Sequence, residues 1–305
     1  MSEATFTTIE HTVMLPTIST PWRLYMMGDF HYGSDQCAVD QLKQDLRTMK
    51  AEKDVPIKRY VILGDETDTA STSERFSLSV AKLHDTTLEK LDRHALETNV
   101  EMRDMLSFMR GNLIAMVQGN HHWQFTRDCK RHDVTRGLSS TEWLARQLGA
   151  RWAGYLSYVI IKVVAKNNTT TYRVDLVLCH GKAGGKLVGS SINQVADMRT
   201  IFPQADILCF GHDHQRSATP MVDLTCEPMP GGKDPQVRQK MHFLCRSGSY
   251  QKAYVPNDTS YVVQKVLRPA SLGYVSLDLK LTRPRVGEVA EEGDRRVRLE
   301  MKARV

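Results

Sequence analysis

Short apolar runs punctuate the chain at residues 24–27, 60–63, 113–117, 176–179 and 207–210. Each has the length of a buried strand and each ends at a cluster of polar residues. Between the first two, Val39, Leu42, Leu46 and Met49 recur at helical spacing and Pro56 breaks the pattern, which predicts a strand, helix, strand unit. A longer helical pattern runs through Phe76, Val80, Leu83, Thr87, Leu91, Ala95 and Met102 to Met109, opened by Ser71-Thr72-Ser73. It predicts one very long helix or two joined near Asn99. Ser139 to Glu142 reads as a capping box, with Trp143, Leu144 and Leu148 forming a short amphipathic helix closed by Gly149. Residues 155–164 and 172–179 flank a polar turn at 166–170 and predict a hairpin, and a Pro- and Gly-rich loop at 227–235 precedes a strand at 241–245. Near the end, Val275, Leu277, Leu279 and Leu281 alternate with polar residues, as do Val297, Leu299, Met301, Ala303 and Val305, so two half-buried strands are expected. Strands alternating with helices predict an α/β layered fold. The expected organisation is a single domain over 1–305 with a core at about 22–282, a helical insertion at about 71–110 and a C-terminal strand extension at about 283–305.

Composition narrows this little. Across 305 residues, 41% are hydrophobic and 25% charged, as in an ordinary globular protein, with no collagen-like, disordered or disulfide-scaffold bias. Residues 1–20 lack the basic start and apolar core of a secretory signal. The best apolar run, 158–165, is interrupted by Lys162 and falls short of the roughly 20 residues that cross a bilayer. A soluble cytoplasmic protein with no membrane partner is expected. The six cysteines form no C-x-x-C pair, so reduced, mostly buried thiols are expected in place of a zinc knuckle or a disulfide framework. A net charge of +6 is compatible with a polyanionic partner but short of a dedicated nucleic-acid binder, and much of it sits in the tail at 283–304.

The candidate chemistry lies where the apolar runs end. In chain order come Asp29-x-His31, Gly64-Asp65-x-x-Asp68, Gly119-Asn120-His121, Cys179-His180-Gly181 and Gly211-His212-x-His214. Five strands would thus deliver oxygen and imidazole donors to one edge of a sheet. Carboxylate, amide and imidazole ligands without a thiolate suit manganese, iron or zinc better than a closed structural zinc site.

In this order and context the motifs resemble the calcineurin-like metallophosphoesterase superfamily, over roughly residues 24–214. The resemblance implies a four-layer α-β-β-α sandwich of two mixed sheets flanked by helices, carrying two divalent transition-metal ions. Manganese is favoured, with iron, zinc, nickel or cobalt as alternatives. It further implies that Asp29, His31, Asp65 and His214 hold one ion, and Asp65, Asn120, His180 and His212 the other, with Asp65 bridging. Two ions about 4 Å apart can clamp an in-line phosphoryl displacement, with a bridging hydroxide as nucleophile. In relatives the residue matching His121 assists the leaving oxygen and the one matching Asp68 holds that imidazole; the alternative for Asp68 is a helix N-cap over 69–73.

The departures bear on substrate. Protein Ser/Thr phosphatases carry arginines where this chain has Thr69 and Gln118, and most relatives have an acidic residue at His122. Without that bidentate grip on a phosphate dianion, the expectation moves to a phosphodiester substrate, nucleic acid or nucleotide, with a phosphomonoesterase as the alternative. A catalytically inactive scaffold is third, because all seven ligand positions carry competent residues. The loop at 180–189 brings Lys182 and Lys186 among glycines that can approach phosphate, without Walker A spacing. Followed by Ile192-Asn193, it also resembles phosphoesterases encoded by bacteriophages. Tyr32, Trp123 and Phe125 either offer stacking faces for bases or pack the rim of the fold, and Arg127, Lys130, Arg131 and Arg136 read as a solvated loop.

Overall fold

The structure, a computed structural model, describes residues 6–69, 83–166, 171–182, 190–227, 235–256, 261–264, 266, 268–269, 271–282 and 297–305. Among them, β1 (Phe6–Leu15), β6 (Leu156–Ala165), β7 (Thr171–Cys179), β8 (Ile207–Phe210), β10 (Gln236–Ser247) and β9 (Arg216–Glu227) form one sheet in that order. A second sheet runs β12 (Arg298–Arg304), β11 (Val275–Thr282), β2 (Trp22–Met27), β3 (Ile57–Ile62), β4 (Leu113–Met116) and β5 (Arg151–Trp152). Both are mixed: β2, β3, β4 and β5 are parallel with β11 antiparallel, and β7, β8 and β10 are parallel with β9 antiparallel.

The period-two alternation decides how the sheets pack. Leu24, Met26, Val61 and Leu63 point at Leu176, Leu178, Ile207 and Cys209 across the gap between the sheets. Tyr25, Met27, Tyr60 and Ile62 point the other way, under the helices. Because both faces are covered, these strands read as continuous apolar runs. Helices α1 (Val39–Ala51), α2 (Asp85–Leu106) and α3 (Ser140–Leu148) cover the outside of the second sheet through Leu42, Leu46, Ala95, Met102, Trp143 and Leu144. Helix α4 (Ser190–Ile201) covers the first through Val195, packed against Val177, Leu208 and Leu244. The result is the α-β-β-α sandwich. No helix among the described residues is long and apolar enough to cross a membrane.

Several expectations need correction. The five motif-bearing strands do not share a sheet: β2, β3 and β4 belong to one and β7 and β8 to the other, so the motifs meet at the seam between two sheets. Helix α2 is continuous through Asn99, whose side chain is satisfied by the Ala95 carbonyl at 2.8 Å and Thr67 Oγ1 at 3.3 Å. Its described start is Asp85, capped by His84; Phe76, Val80 and the Ser71-Thr72-Ser73 cluster lie outside the described residues. Strands β1, β5 and β9 are not predicted by the pattern of apolar positions. The capping box is present, Ser139 Oγ accepting from Glu142 N at 3.0 Å, and so is the hairpin of β6 and β7. All six cysteines are free; Cys37, Cys209 and Cys245 are buried, whereas Cys226 is exposed.

One contact between the sheets is pH-sensitive. His11 on β1 accepts from Arg59 Nε on β3 at 3.0 Å, and burial, aided by that guanidinium, lowers the imidazole from 6.5 to about 4. The unfolded chain therefore takes up this proton before the folded one does, so stability is full above pH 6.5 and falls as pH drops towards 4. Melting temperatures measured from pH 7 to 4 should fall less steeply in His11→Gln than in the wild type; parallel curves would refute the assignment.

Candidate metal centre

The loops leaving β2 and β3 continue to bond to one another after the sheet ends. Asp29 N donates to Gly64 O at 2.9 Å, His31 N to Asp65 O at 3.0 Å, and Asp68 N to Tyr32 O at 2.8 Å. This zipper holds Asp29, His31 and Asp65 at φ of 51°, 50° and 52°, and on the other sheet His212 and His214 sit at 69° and 58°. Left-handed backbone costs a residue with a Cβ about 1–2 kcal/mol, and such strain collects at functional sites. Two glycines allow the close approach. Gly64 has φ +93°, and a Cβ there would lie 2.6 Å from Gly119 N; a Cβ on Gly119 would collide with the Asp65 carboxylate.

Three groups of donors result, each with ligand atoms within 4.8 Å of one another: Asp29, His31 and His214; His31, Asp65 and His121; and Asp65, His180 and His212. In the first, His31 Nε2 faces His214 Nε2 at 3.1 Å, with Asp29 Oδ1 3.5 Å from the latter. In the last, His180 Nε2 lies 2.9 Å from Asn120 Oδ1, 3.1 Å from His212 Nδ1 and 3.2 Å from Asp65 Oδ2. Asp65 Oδ1 accepts from the His121 amide at 2.7 Å, and Asp29 Oδ2 from the His212 amide at 2.9 Å. The seven residues expected to hold metal therefore converge on one seam, and the middle group links the outer two, sharing His31 with the first and Asp65 with the last.

The donors fit cations on their own chemistry. Asp29 is fully buried and its Oδ1 has no hydrogen-bond partner, a costly state for a carboxylate oxygen. His180 Nδ1 donates to Leu63 O at 2.6 Å, which aims its Nε2 at Asp65, Asn120 and His212. Burial pushes Asp29 up to about 8 against the opposing pull of His180, with Asp65 adding to the rise. His180 is held up at about 10 because Asp65 outweighs the burial that would lower it. Without cations, protons on these two groups offset the buried charge.

His121 lies beside this cluster, and Asp68 touches it: His121 Nδ1 is 2.9 Å from Asp68 Oδ2, with His31 Nδ1 3.5 Å from the same oxygen. Burial disfavours the Asp68 carboxylate, yet hydrogen bonds from the two histidines hold it well below the usual carboxylate range. The side chain of Asp68 thus serves the imidazoles; the residues following Thr69 that it was alternatively expected to cap, 70–73, lie outside the described residues.

The neighbours are disposed differently. His122 turns back, Nδ1 on Gly119 O at 2.9 Å and Nε2 3.4 Å from Gln118 Nε2, and Gln118 also donates to Tyr155 Oη at 2.9 Å. Trp123 and Phe125 are buried, whereas Tyr32 reaches Glu101 on α2 at 2.6 Å. Lys182 is exposed, and Lys186 with Gly184, Gly185 and Gly189 lies outside the described residues, and with them most of the loop on which the bacteriophage likeness rests.

Sequence reasoning missed the support of the Gly211-His212-x-His214 turn. Arg246, at the end of β10 and fully buried, donates from Nε to Asp213 Oδ1 at 3.0 Å and from Nη2 to Gly211 O at 3.1 Å, and lies over the Phe210 ring. Asp213 sits between the two histidines. The available signal was a charged residue directly after the apolar run at 241–245. Ser249 Oγ, donating to Asp29 O at 3.0 Å, carried no such signal.

No protein family matches the sequence, and no curated protein does. Among solved structures, Vps29 from Entamoeba histolytica, complexed with Zn²⁺, is similar at 15% identity and a TM-score of 0.38, over 92% of this chain and 98% of that one. A predicted phosphoesterase from Streptococcus pneumoniae is similar at 11% and 0.32, over 93% and 98%. An NAD nucleotidase from Haemophilus influenzae is similar at 10% and 0.32, over 86% of this chain and 47% of that one. Likeness at this level carries no functional argument, and the side chains must supply it.

Two outcomes follow. Because Asp29 and His180 hold protons at neutral pH when no cation is present, adding Mn²⁺ at pH 7 should release at least one proton per chain, and affinity should rise from pH 6 to 8. Calorimetry in buffers of different ionisation enthalpy reads this directly; binding without proton release would refute it. Arg246→Met strands the Asp213 carboxylate and should destabilise the fold by about 3–5 kcal/mol, with much of the loss recovered on adding Asp213→Asn. Denaturant unfolding of the single and double variants checks it.

Proposed function

We propose that the chain is a metal-dependent phosphoric ester hydrolase, a phosphodiesterase acting on nucleotides or nucleic acid. The observation that carries this reading is the run of three Asp/His groups linked through His31 and Asp65, with an Asp29 oxygen that has no hydrogen-bond partner in the first of them. Asp29, His31, Asp65 and His214 would hold one divalent ion, and Asp65, Asn120, His180 and His212 a second. Oxygen and imidazole donors favour manganese, with iron, zinc, nickel or cobalt compatible. Bound there, the ions would supply an activated water and neutralise the phosphate oxygens.

The chain's own residues do the rest. Asp65, buried and held by the His121 amide, fixes the spacing of the two groups. His121, with Nδ1 bound to Asp68, presents Nε2 towards the seam, 4.0 Å from Asp65 Oδ2. It is the proton donor to the departing alkoxide or phenolate oxygen. Asp68 fixes the ring through Nδ1, and a positioned acid contributes about 10²- to 10⁴-fold.

Thr69 and Gln118 favour a diester over a monoester. Both are uncharged, and the Gln118 amide nitrogen is committed to Tyr155 and His122. A dianionic terminal phosphate gains no bidentate guanidinium from those positions, whereas a monoanionic diester needs none.

With manganese added, a bis-ester of p-nitrophenol should be cleaved faster than the mono-ester; a strong mono-ester preference would make the protein a phosphatase. His121→Ala should keep its metal while losing about 10²- to 10⁴-fold in kcat, whereas Asp65→Ala should lose metal as well. Metal content of the purified variants separates the roles, and equal loss in both would show them misassigned.

A further inference from the structure

Glu66 is a buried carboxylate to which the chemistry above gives no task. It follows Asp65 directly, is only 3% exposed, and belongs to none of the three donor groups. Its Oε2 accepts from Thr141 Oγ1 at 2.9 Å, and its Oε1 has no hydrogen-bond partner. Burying a carboxylate is costly unless it is compensated. Thr141 lies in the first turn of α3, and the N-terminal end of a helix carries partial positive charge, so the helix supplies part of that compensation.

The segment from Gly64 to Asp68 divides its side chains between the centre and the helices. Asp65 and Asp68 meet the imidazoles, whereas Glu66 reaches α3 through Thr141 and Thr67 meets Asn99 of α2 at 3.3 Å. The Thr67 contact is neutral and long. The Glu66 contact is shorter, and a hydrogen bond to an ionised group is roughly twice as strong as a neutral one, which makes Glu66 the firmer anchor. A firm anchor matters here because Gly64 and Asp65 are consecutive left-handed residues, at φ of 93° and 52°. Such backbone persists only where its surroundings over-determine it.

The same turn of α3 grips the loop that carries Asn120 and His121. Ser140, next to Thr141, donates its amide to Trp123 O at 2.8 Å, and its Oγ accepts from Trp123 N at 2.9 Å. Trp123 is two residues beyond His121. Two adjacent residues at the start of one helix therefore hold the loop of the shared carboxylate and the loop of the acid imidazole. Those loops come together where Asp65 Oδ1 accepts from the His121 amide at 2.7 Å. Trp143, Leu144 and Leu148 pack α3 into the core, so its first turn is a fixed reference for both.

We propose that Glu66 is a positioning residue: its bond to Thr141 sets the Asp65 carboxylate against Asn120 and His121 by referring both loops to the first turn of α3. This rests on the reading of the seam as the metal centre of a phosphoester hydrolase and deepens it. In the full chain, Mn²⁺ affinity is measured by calorimetry on metal-free protein, alongside melting temperature and turnover of bis(p-nitrophenyl) phosphate at saturating Mn²⁺. Thr141→Val should weaken Mn²⁺ binding and lower kcat, each about tenfold, the scale of one hydrogen bond to a charged group, with KM unchanged. Thr141→Ser, which keeps the hydroxyl, should recover both. Adding Thr141→Val to Glu66→Ala should change Mn²⁺ affinity no further, because the bond is already lost. A lower melting temperature with wild-type Mn²⁺ affinity in Thr141→Val would mark a purely structural bond and overturn the proposal. So would a Thr141→Ser variant as impaired as Thr141→Val, or losses that add in the double variant. Weaker Mn²⁺ binding in Thr141→Val, restored in Thr141→Ser, with no ester cleaved by the wild type, would support the positioning role and overturn the hydrolase reading.

Discussion

Two carboxylates, Asp29 and Asp65, are buried where the ends of two sheets meet, and the rest of that end of the molecule answers the need to compensate them. Neither reaches bulk water, so each charge must be matched by donors, protons or cations. Backbone amides satisfy one oxygen of each, from His212 and His121 respectively. Imidazoles surround what remains. The Asp65 charge draws a proton onto His180, and burial keeps one on Asp29. A pair of divalent ions would replace that provisional arrangement with one that also organises substrate.

Holding the donors there strains the chain, and the fold carries the strain with long-range bonds. Five of the proposed ligands have left-handed backbone. Those on the second sheet are kept in place by the zipper between the loops after β2 and β3. On the first sheet the equivalent role falls to Arg246, which ties Asp213 and Gly211 around the two histidines. A buried ion pair is a weak source of net stability; its value here is that it fixes where His212 and His214 point.

Much of this was legible in the chain. Strands buried on both faces announce themselves as continuous apolar runs, and a motif at the end of each run marks the site, so β2, β3, β4, β7 and β8 and all nine site residues could be placed in order. The capping box of α3 is equally local. What sequence could not show by itself is non-local: nothing in the runs says that three belong to one sheet and two to another. Strand β1 gives a weak signal because Thr8, Glu10 and Thr12 dilute its apolar positions, and β9 because Pro220 and Asp223 interrupt it. Arg246 lies 33 residues from Asp213 in the chain, and only the β8 and β10 pairing brings them together. Of the aromatics singled out near the motifs, Trp123 and Phe125 proved to be packing residues, and Tyr32 a link to α2.

The central claim is that two ions share Asp65. Electron paramagnetic resonance of the chain loaded with two equivalents of Mn²⁺ tests it most directly. The account predicts the spectrum of an exchange-coupled pair, replaced in Asp65→Asn by the six-line signal of isolated ions or by free metal. Two magnetically isolated ions in the wild type, or binding that saturates at one equivalent, would contradict it.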